Sequence, residues 1–288
     1  MPDETLLARA LAEAQAGAYL SRLGLRVERA EAGTADVELG STHLCTNRVG
    51  VIHGGATASG IIAAAELAAA SSQREARAAE LRLASFTVSF LDVIRASAPL
   101  RASARVMRRG RDVIHVSGEA RSREGDVATT ALLVYRLVDG EELVASRVPG
   151  RPASSALTPR ERLTASSYMT GLQAVLLEGA PDWSCIAAPA DANASGAGRV
   201  HDGALVGLVD TCAARASFEH GSGHDGGASA TISLSILFAG SCSGEARAGA
   251  RVIGRDATSF TCEGEVWGRD GMMLATALVC YRIAGAKD

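Results

Sequence analysis

Along this chain the spacing of apolar residues switches between a helical and an alternating period, and the switch happens twice. Over residues 4–23, Leu6, Leu7, Ala10, Leu11 and Ala14 fall on one face at helical spacing and predict a leading amphipathic helix. Residues 25–39 predict a strand pair, with the clearest alternation of apolar and polar positions over 34–39. From about 53 to 71, and again from about 201 to 218, the sequence is apolar on nearly every side, which predicts helices enclosed by other elements. Alternation returns over 85–93, 100–108, 113–121 and 127–137, with counterpart strands between 229 and 283. Pro149, Gly150, Pro152 and two adjacent serines make 139–157 a connecting segment, so the expected units are 1–140, a linker over 141–157, and 158–288.

The two units repeat one another. Arg105-Val106, Gly118-Glu119, Gly125 and Ala131 to Arg136 return as Arg251-Val252, Gly264-Glu265, Gly271 and Ala277 to Arg282, each 146 positions later. Upstream, Val51-Ile52-His53-Gly54-Gly55 returns as Arg199-Val200-His201-Asp202-Gly203 at an offset of 148, so a two-residue length difference lies between. Strands before and after an enclosed helix imply a curved antiparallel sheet wrapping that helix, with an extra helix at each unit's start. This is the hotdog arrangement, and the expected class is α+β, with two tandem hotdog domains forming a pseudo-dimer within one chain.

Composition narrows the picture. A chain of 288 residues suits two ordinary domains better than one large one, and 47% hydrophobic with 21% charged residues is that of a globular protein. Only 4% of residues are aromatic, so small and branched aliphatic side chains must fill the core and the helices must pack closely. The formal net charge of -3 comes with no long basic run, which argues against nucleic-acid or membrane partners. The start, Met1-Pro2-Asp3-Glu4, has no basic segment followed by an apolar one, and charges interrupt every apolar run, so a cytoplasmic location is expected. Cys45, Cys185, Cys212, Cys242, Cys262 and Cys280 are scattered without a C-x-x-C pair and read as reduced thiols. His220 and His224 have metal-pair spacing, but Gly221-Ser222-Gly223 between them favours a loop, and no metal is expected.

The candidate chemistry centres on one motif: an asparagine, five residues, His-Gly-Gly, and an acid nine positions after the histidine on the enclosed helix. In its motif and strand pattern the chain resembles the phenylacetate-degradation type of hotdog thioesterase, related to the 4-hydroxybenzoyl-CoA thioesterases, over about 19–138 and more weakly over about 169–284. Half 1 keeps Asn47, His53, Gly54 and Gly55 but has Ile62 at the acid position; half 2 keeps the acid, Asp210, but has Ser195 for the asparagine and Asp202 for the first glycine. The resemblance implies a site at the two-fold interface, with the Asn-His-Gly elements from one side and the acid, with a serine in the following strand, from the other. Counted back from Val252, that serine is Ser229, and its half 1 counterpart is Leu83. One complete site follows, made of Asn47, His53 and Gly54 with Asp210 and Ser229. The other set, Ser195, His201 and Asp202 with Ile62 and Leu83, is derelict.

The chemistry implied is hydrolysis of an acyl-CoA to free acid and CoA, with no cofactor beyond the coenzyme A of the substrate. A helix's first N–H groups lack intrahelical partners and sit at the positive end of its dipole, so Gly54 is the expected oxyanion donor. Asp210 would attack the carbonyl or take a proton from water, and the sequence leaves both open. A carboxylate among Leu205, Val206, Leu208, Val209 and Cys212 is costly to bury without a use. Asn47 could hold water or the acyl carbonyl, Ser229 could orient the water, and His53 would shape the helix start. Arg109 and Arg111, on a strand-to-strand turn, are candidates for the CoA phosphates. Glu66, thirteen residues after His53, is a rival acid of the kind hotdog dehydratases use, but Gly54-Gly55-Ala56-Thr57 replaces their proline-rich segment and a solvated or capped Glu66 is preferred. The alternative function is a non-catalytic acyl-CoA-binding or regulatory module. Further association of double-hotdog chains into a homo-oligomer is also expected.

Overall fold

The computed structural model describes residues 5–40, 42–73, 79–138, 160–180, 182–220 and 230–282. Half 1 runs α1 (Leu6–Ala16), α2 (Ala18–Arg22), β1 (Leu25–Glu31), β2 (Thr34–Leu39), α3 (Gly54–Ser71), β3 (Glu80–Phe90), β4 (Leu100–Arg109), β5 (Val113–Arg121) and β6 (Val127–Val138). Half 2 runs β7 (Glu161–Arg162), α4 (Ser167–Gly171), β8 (Val175–Ala180), β9 (Trp183–Ala188), α5 (Asp202–His220), β10 (Ala230–Phe238), β11 (Ala246–Arg255), β12 (Ser259–Gly268) and β13 (Met273–Arg282). The expected linker over 141–157 and the His220–His224 pair's second member lie outside the described residues. The six cysteines form no disulfide.

All strand pairs are antiparallel, and the sheet reads β1-β2-β4-β5-β6-β3-β10-β13-β12-β11-β9-β8-β7. The halves join through β3 and β10, where Thr87 pairs with Ser235, Ser85 with Leu237 and Ser89 with Ser233. Thr87 and Ser235 are each other's counterparts at an offset of 148, so a pseudo-two-fold axis passes between them.

Each half wraps its sheet around its own long helix. In α3 every residue except Gly54, Glu66 and Ser71 is buried, as an all-apolar helix requires. The two central helices also pack on each other, and small residues set how closely. A Cβ on Gly55 would stand 2.6 Å from Gly207 Cα, and one on Gly203 would stand 2.9 Å from Ser59 Cα. These two contacts are related by the same axis.

The leading helix expected over 4–23 is broken at Gly17, whose extended backbone (φ -67°, ψ 124°) separates α1 from α2. The break has a tertiary cause: half 2's loop presses there, and a Cβ on Gly196 would stand 2.4 Å from Glu13 Cα. Half 2 begins with α4, five residues long, which corresponds to α2; no counterpart of α1 is present among the described residues. The first strand after α3 begins at Glu80 and ends at Phe90, earlier at both ends than the alternation suggests.

Candidate active site

The start of α3 is built by its own N-cap. His53 has extended backbone, and its Nδ1 accepts the Gly55 N–H at 2.9 Å. That bond occupies Nδ1 and assigns the ring proton to Nε2, which faces Thr211 Oγ1 of α5 at 3.3 Å. Thr211 in turn donates to Gly207 O (2.9 Å), so half 2 fixes the rotation of half 1's histidine. Tyr168, from α4, stacks on the His53 ring with centroids 4.5 Å apart. The Gly54 N–H has no acceptor among the described residues, as expected for the first helical position.

Asp210 comes to this same point from α5. It is 5% exposed. Its Oδ1 accepts from Thr231 Oγ1 at 2.5 Å. Its Oδ2 lies 3.8 Å from His53 Nδ1 and would be 3.1 Å from a Cβ on Gly54, so the carboxylate of half 2 sits over the helix start of half 1. The Phe90 ring closes another side, with Cζ 3.2 Å from that Cβ position. Burial pushes the Asp210 carboxyl above its usual range, while His53 and the Thr231 hydrogen bond pull it back down. Burial lowers the His53 pKa, opposed by the Asp210 charge, so the imidazole is neutral at pH 7.

Three residues of the expected set need correction. Ser229 lies outside the described residues, and the hydroxyl on Asp210 belongs to Thr231. Thr231 pairs with Tyr281 as Leu83 pairs with Tyr135, so Thr231 is the true counterpart of Leu83. The two-residue difference between halves lies in the loops 91–99 and 239–245, after this strand, so counting back at an offset of 146 misses by two. Asn47 has its Oδ1 committed to its own turn, accepting from Val49 N–H (3.0 Å) and Val51 N–H (3.3 Å), which leaves its NH₂ to meet a substrate. Arg109 donates to Ser72 O at the far end of α3, and an 18-residue helix puts that about 27 Å from Gly54. Arg111 is 91% exposed on the same tip, so neither arginine joins this site.

The related set across the axis follows the same plan with different side chains. His201 Nδ1 accepts the Gly203 N–H (3.0 Å), and the His201 ring lies against Tyr19 with centroids 5.1 Å apart. The Tyr19 and Tyr168 hydroxyls meet at 2.6 Å and join the two sites at the axis. Ile62 and Leu83 stand where Asp210 and Thr231 stand opposite. A cavity of about 380 Å³ opens here, lined by Ile62, Leu83, Ser195, His201 and Asp202 together with Glu66. Glu66, expected to be solvated or capped, instead faces this cavity from one turn of α3 beyond Ile62.

Tyr168, Thr211, Thr231 and Phe90 had no motif to mark them. The aspartate at Asp210 carried a signal because it interrupts an apolar helix; a threonine in a strand or an aromatic at a strand end carries none.

Residues 42–136 match the family model described as the acyl-CoA thioesterase N-terminal domain, and residues 197–275 match that of the thioesterase superfamily. No curated protein sequence matches the chain. Among solved structures, a conserved protein of unknown function with a hot dog fold from Alicyclobacillus acidocaldarius is similar at 19% identity and a TM-score of 0.67, over 96% of this chain and 99% of that one. The tesB protein of Mycobacterium avium subspecies paratuberculosis is similar at 14% identity and a TM-score of 0.66, over 93% of this chain and 98% of that one. The acyl-CoA thioesterase II TesB2 of Mycobacterium marinum gives 12% identity and a TM-score of 0.63, over 91% and 97%. No helix among the described residues is long and apolar enough to cross a membrane. The chain is a double hotdog of class α+β, an intrachain pseudo-dimer whose two domains each match a thioesterase family.

Proposed function

We propose that the protein hydrolyses acyl-CoA thioesters to free acid and CoA at one composite site, with the helix start from half 1 and the carboxylate from half 2. The observation that carries this reading is the Asp210 carboxylate lying over Gly54, where the first N–H of α3 has no acceptor. The thioester carbonyl oxygen accepts that N–H, which stabilises the charge it gains as the carbon becomes tetrahedral. A glycine here leaves the approach open. Asp210, made more basic by burial, takes a proton from water as the water oxygen bonds to the carbonyl carbon. The C–S bond then breaks, and the proton passes from Asp210 to the departing CoA sulfur. Thr231 holds one carboxylate oxygen so that the other faces the substrate, and neutral His53 keeps the helix start in place. The Asn47, His53 and Gly54 spacing supports a phenylacetate-degradation type of ancestry for half 1.

The test is thiol release from a panel of acyl-CoAs, short aliphatic to small aromatic. Saturable turnover supports the proposal; tight binding of acyl-CoA with no thiol release at any chain length would instead make this a binding module.

Arg48 lies on the loop before His53, close enough for its charge to act on Tyr281, which also senses Asp210. It is a better placed cation for the CoA phosphates than Arg109. Arg48→Ala is expected to raise KM for acyl-CoA by about tenfold, roughly one phosphate contact, with kcat unchanged. The same variant should leave hydrolysis of an acyl-N-acetylcysteamine thioester, which has no phosphates, untouched. An equal loss on both substrates would show that Arg48 acts on the loop and not on phosphate.

A further inference from the structure

The cavity across the axis has lost the parts needed for thioester chemistry, but its lining is not apolar. Glu66 reaches in from α3 and Asp202 from the first turn of α5, at the position Gly54 holds opposite. Glu13 of α1 faces the same space. Deeper in the wall, His201 is 6% exposed, and with Nδ1 engaged by Gly203 its proton sits on Nε2. Opposite, Thr211 accepts the corresponding proton; here the counterpart is Ala63, and His201 Nε2 finds no acceptor among the described residues. Ser195 Oγ, on the same lining, is buried without a hydrogen-bond partner. Polar atoms left unpaired beside an open volume are placed for a ligand.

The charges at the mouth are already matched. Glu80 Oε2 holds both Arg82 (2.8 Å) and Arg199 (3.2 Å). Inside, carboxyl groups predominate, and Asp202 already answers the positive end of α5, so an anion has nothing left to bind. Burial, with Glu13 and Asp202 nearby, pushes the Glu66 carboxyl up to about 8, and burial raises Asp202 to about 6 against the pull of Arg199 and Arg82. Burial holds His201 down at about 4. Tyr135, facing Glu66 from β6, is raised well above its usual value and stays neutral. Asp270, on the loop after β12, completes the acidic rim. At pH 7 the inner pair thus shares about one proton that a cation would displace.

We propose that this cavity binds a small primary ammonium compound, its N–H donors shared between the Glu66 and Asp202 carboxylates and an oxygen on the same molecule accepting the His201 Nε2 proton. Amino alcohols are the simplest members of that class. The site is separate from the thioester site and stands or falls independently of it.

Isothermal titration of the full-length protein with ethanolamine tests this, with propanol and propionate as neutral and anionic probes. Ethanolamine is expected to bind one-to-one with a Kd of about 1 mM or tighter, and to release close to one proton at pH 7, read from the dependence of the heat on buffer. Affinity should rise between pH 6 and 8, as the carboxyls lose their protons. Glu66→Gln should weaken binding by about tenfold or more and remove the proton release while leaving thioester turnover as it is; Asp202→Asn serves as the second variant should the first fail to fold. Absence of ethanolamine binding, equal binding of propanol or propionate, or unchanged affinity in these variants would overturn the proposal.

Discussion

Asp210→Asn is expected to lower kcat for acyl-CoA hydrolysis by about a thousandfold, in the range for loss of a positioned general base, while raising Tm. The two effects share one cause. Asp210 is buried, and its folded-state pKa lies above the usual carboxylate value. A raised acid binds its proton more tightly when folded, so its contribution to stability is fully present below the unfolded pKa and is lost as pH rises through the folded one. At pH 7 the ionised group therefore weakens the fold, and a neutral amide of the same shape removes that strain. Activity runs the opposite way, requires the carboxylate, and should fall as pH drops through a value above 3.8, the group's ordinary pKa. Thr231→Val removes the hydrogen bond that holds the carboxyl down and should move this acid limb upward. Steady-state kinetics over pH, with calorimetric melting of each variant, checks the set. Full turnover in Asp210→Asn would remove the proposed chemistry.

Gly55→Ala should produce the largest loss of stability from a single methyl group. The new Cβ would stand 2.6 Å from Gly207 Cα and 2.7 Å from the Tyr168 hydroxyl. The first of these is backbone at the crossing of α3 and α5, and neither helix can retreat without leaving its sheet. Overpacking of this kind costs about 1–3 kcal/mol, which for a protein of this size lowers Tm by about 5 °C. Gly207→Ala meets the same obstacle from the other helix, with Tyr168 Oη 2.3 Å from its Cβ. The two changes crowd one contact, so their effects should not add. Because Tyr168 lies on His53, turnover should decline with stability in both variants. A melting curve indistinguishable from the parent would mean that the helices are not in this contact.

The fold was legible because its strongest signals are local and repeated. Two helices without a polar face, each followed by alternating strands, leave little choice but a sheet around each helix, and the repeat made the second half readable from the first. What escaped was set by distant partners. Gly17 breaks the leading helix because Gly196, far along the chain, packs against Glu13. Thr211 and Tyr168 fix His53 from the other half, and neither belongs to a motif. The Asp210 hydroxyl partner was misplaced by two because a length difference leaves no trace of which loop holds it until strand pairing is known. Glu66 was read as solvated because its helix face was judged from its own half, whereas the cavity it enters is completed by Asp202 and His201 of the other.

The meeting of Tyr19 and Tyr168 at the axis shows what joining two copies in one polypeptide permits. In a symmetric dimer every substitution is inherited by both partners, so a site cannot change on one side alone. Here Thr211 could go on steadying one imidazole while its twin position became Ala63, and Ser59 could meet Tyr19 where Gly207 makes room for Tyr168. The peptide bond also holds the partners at a fixed effective concentration, so dilution cannot part a catalytic half from the half that completes it.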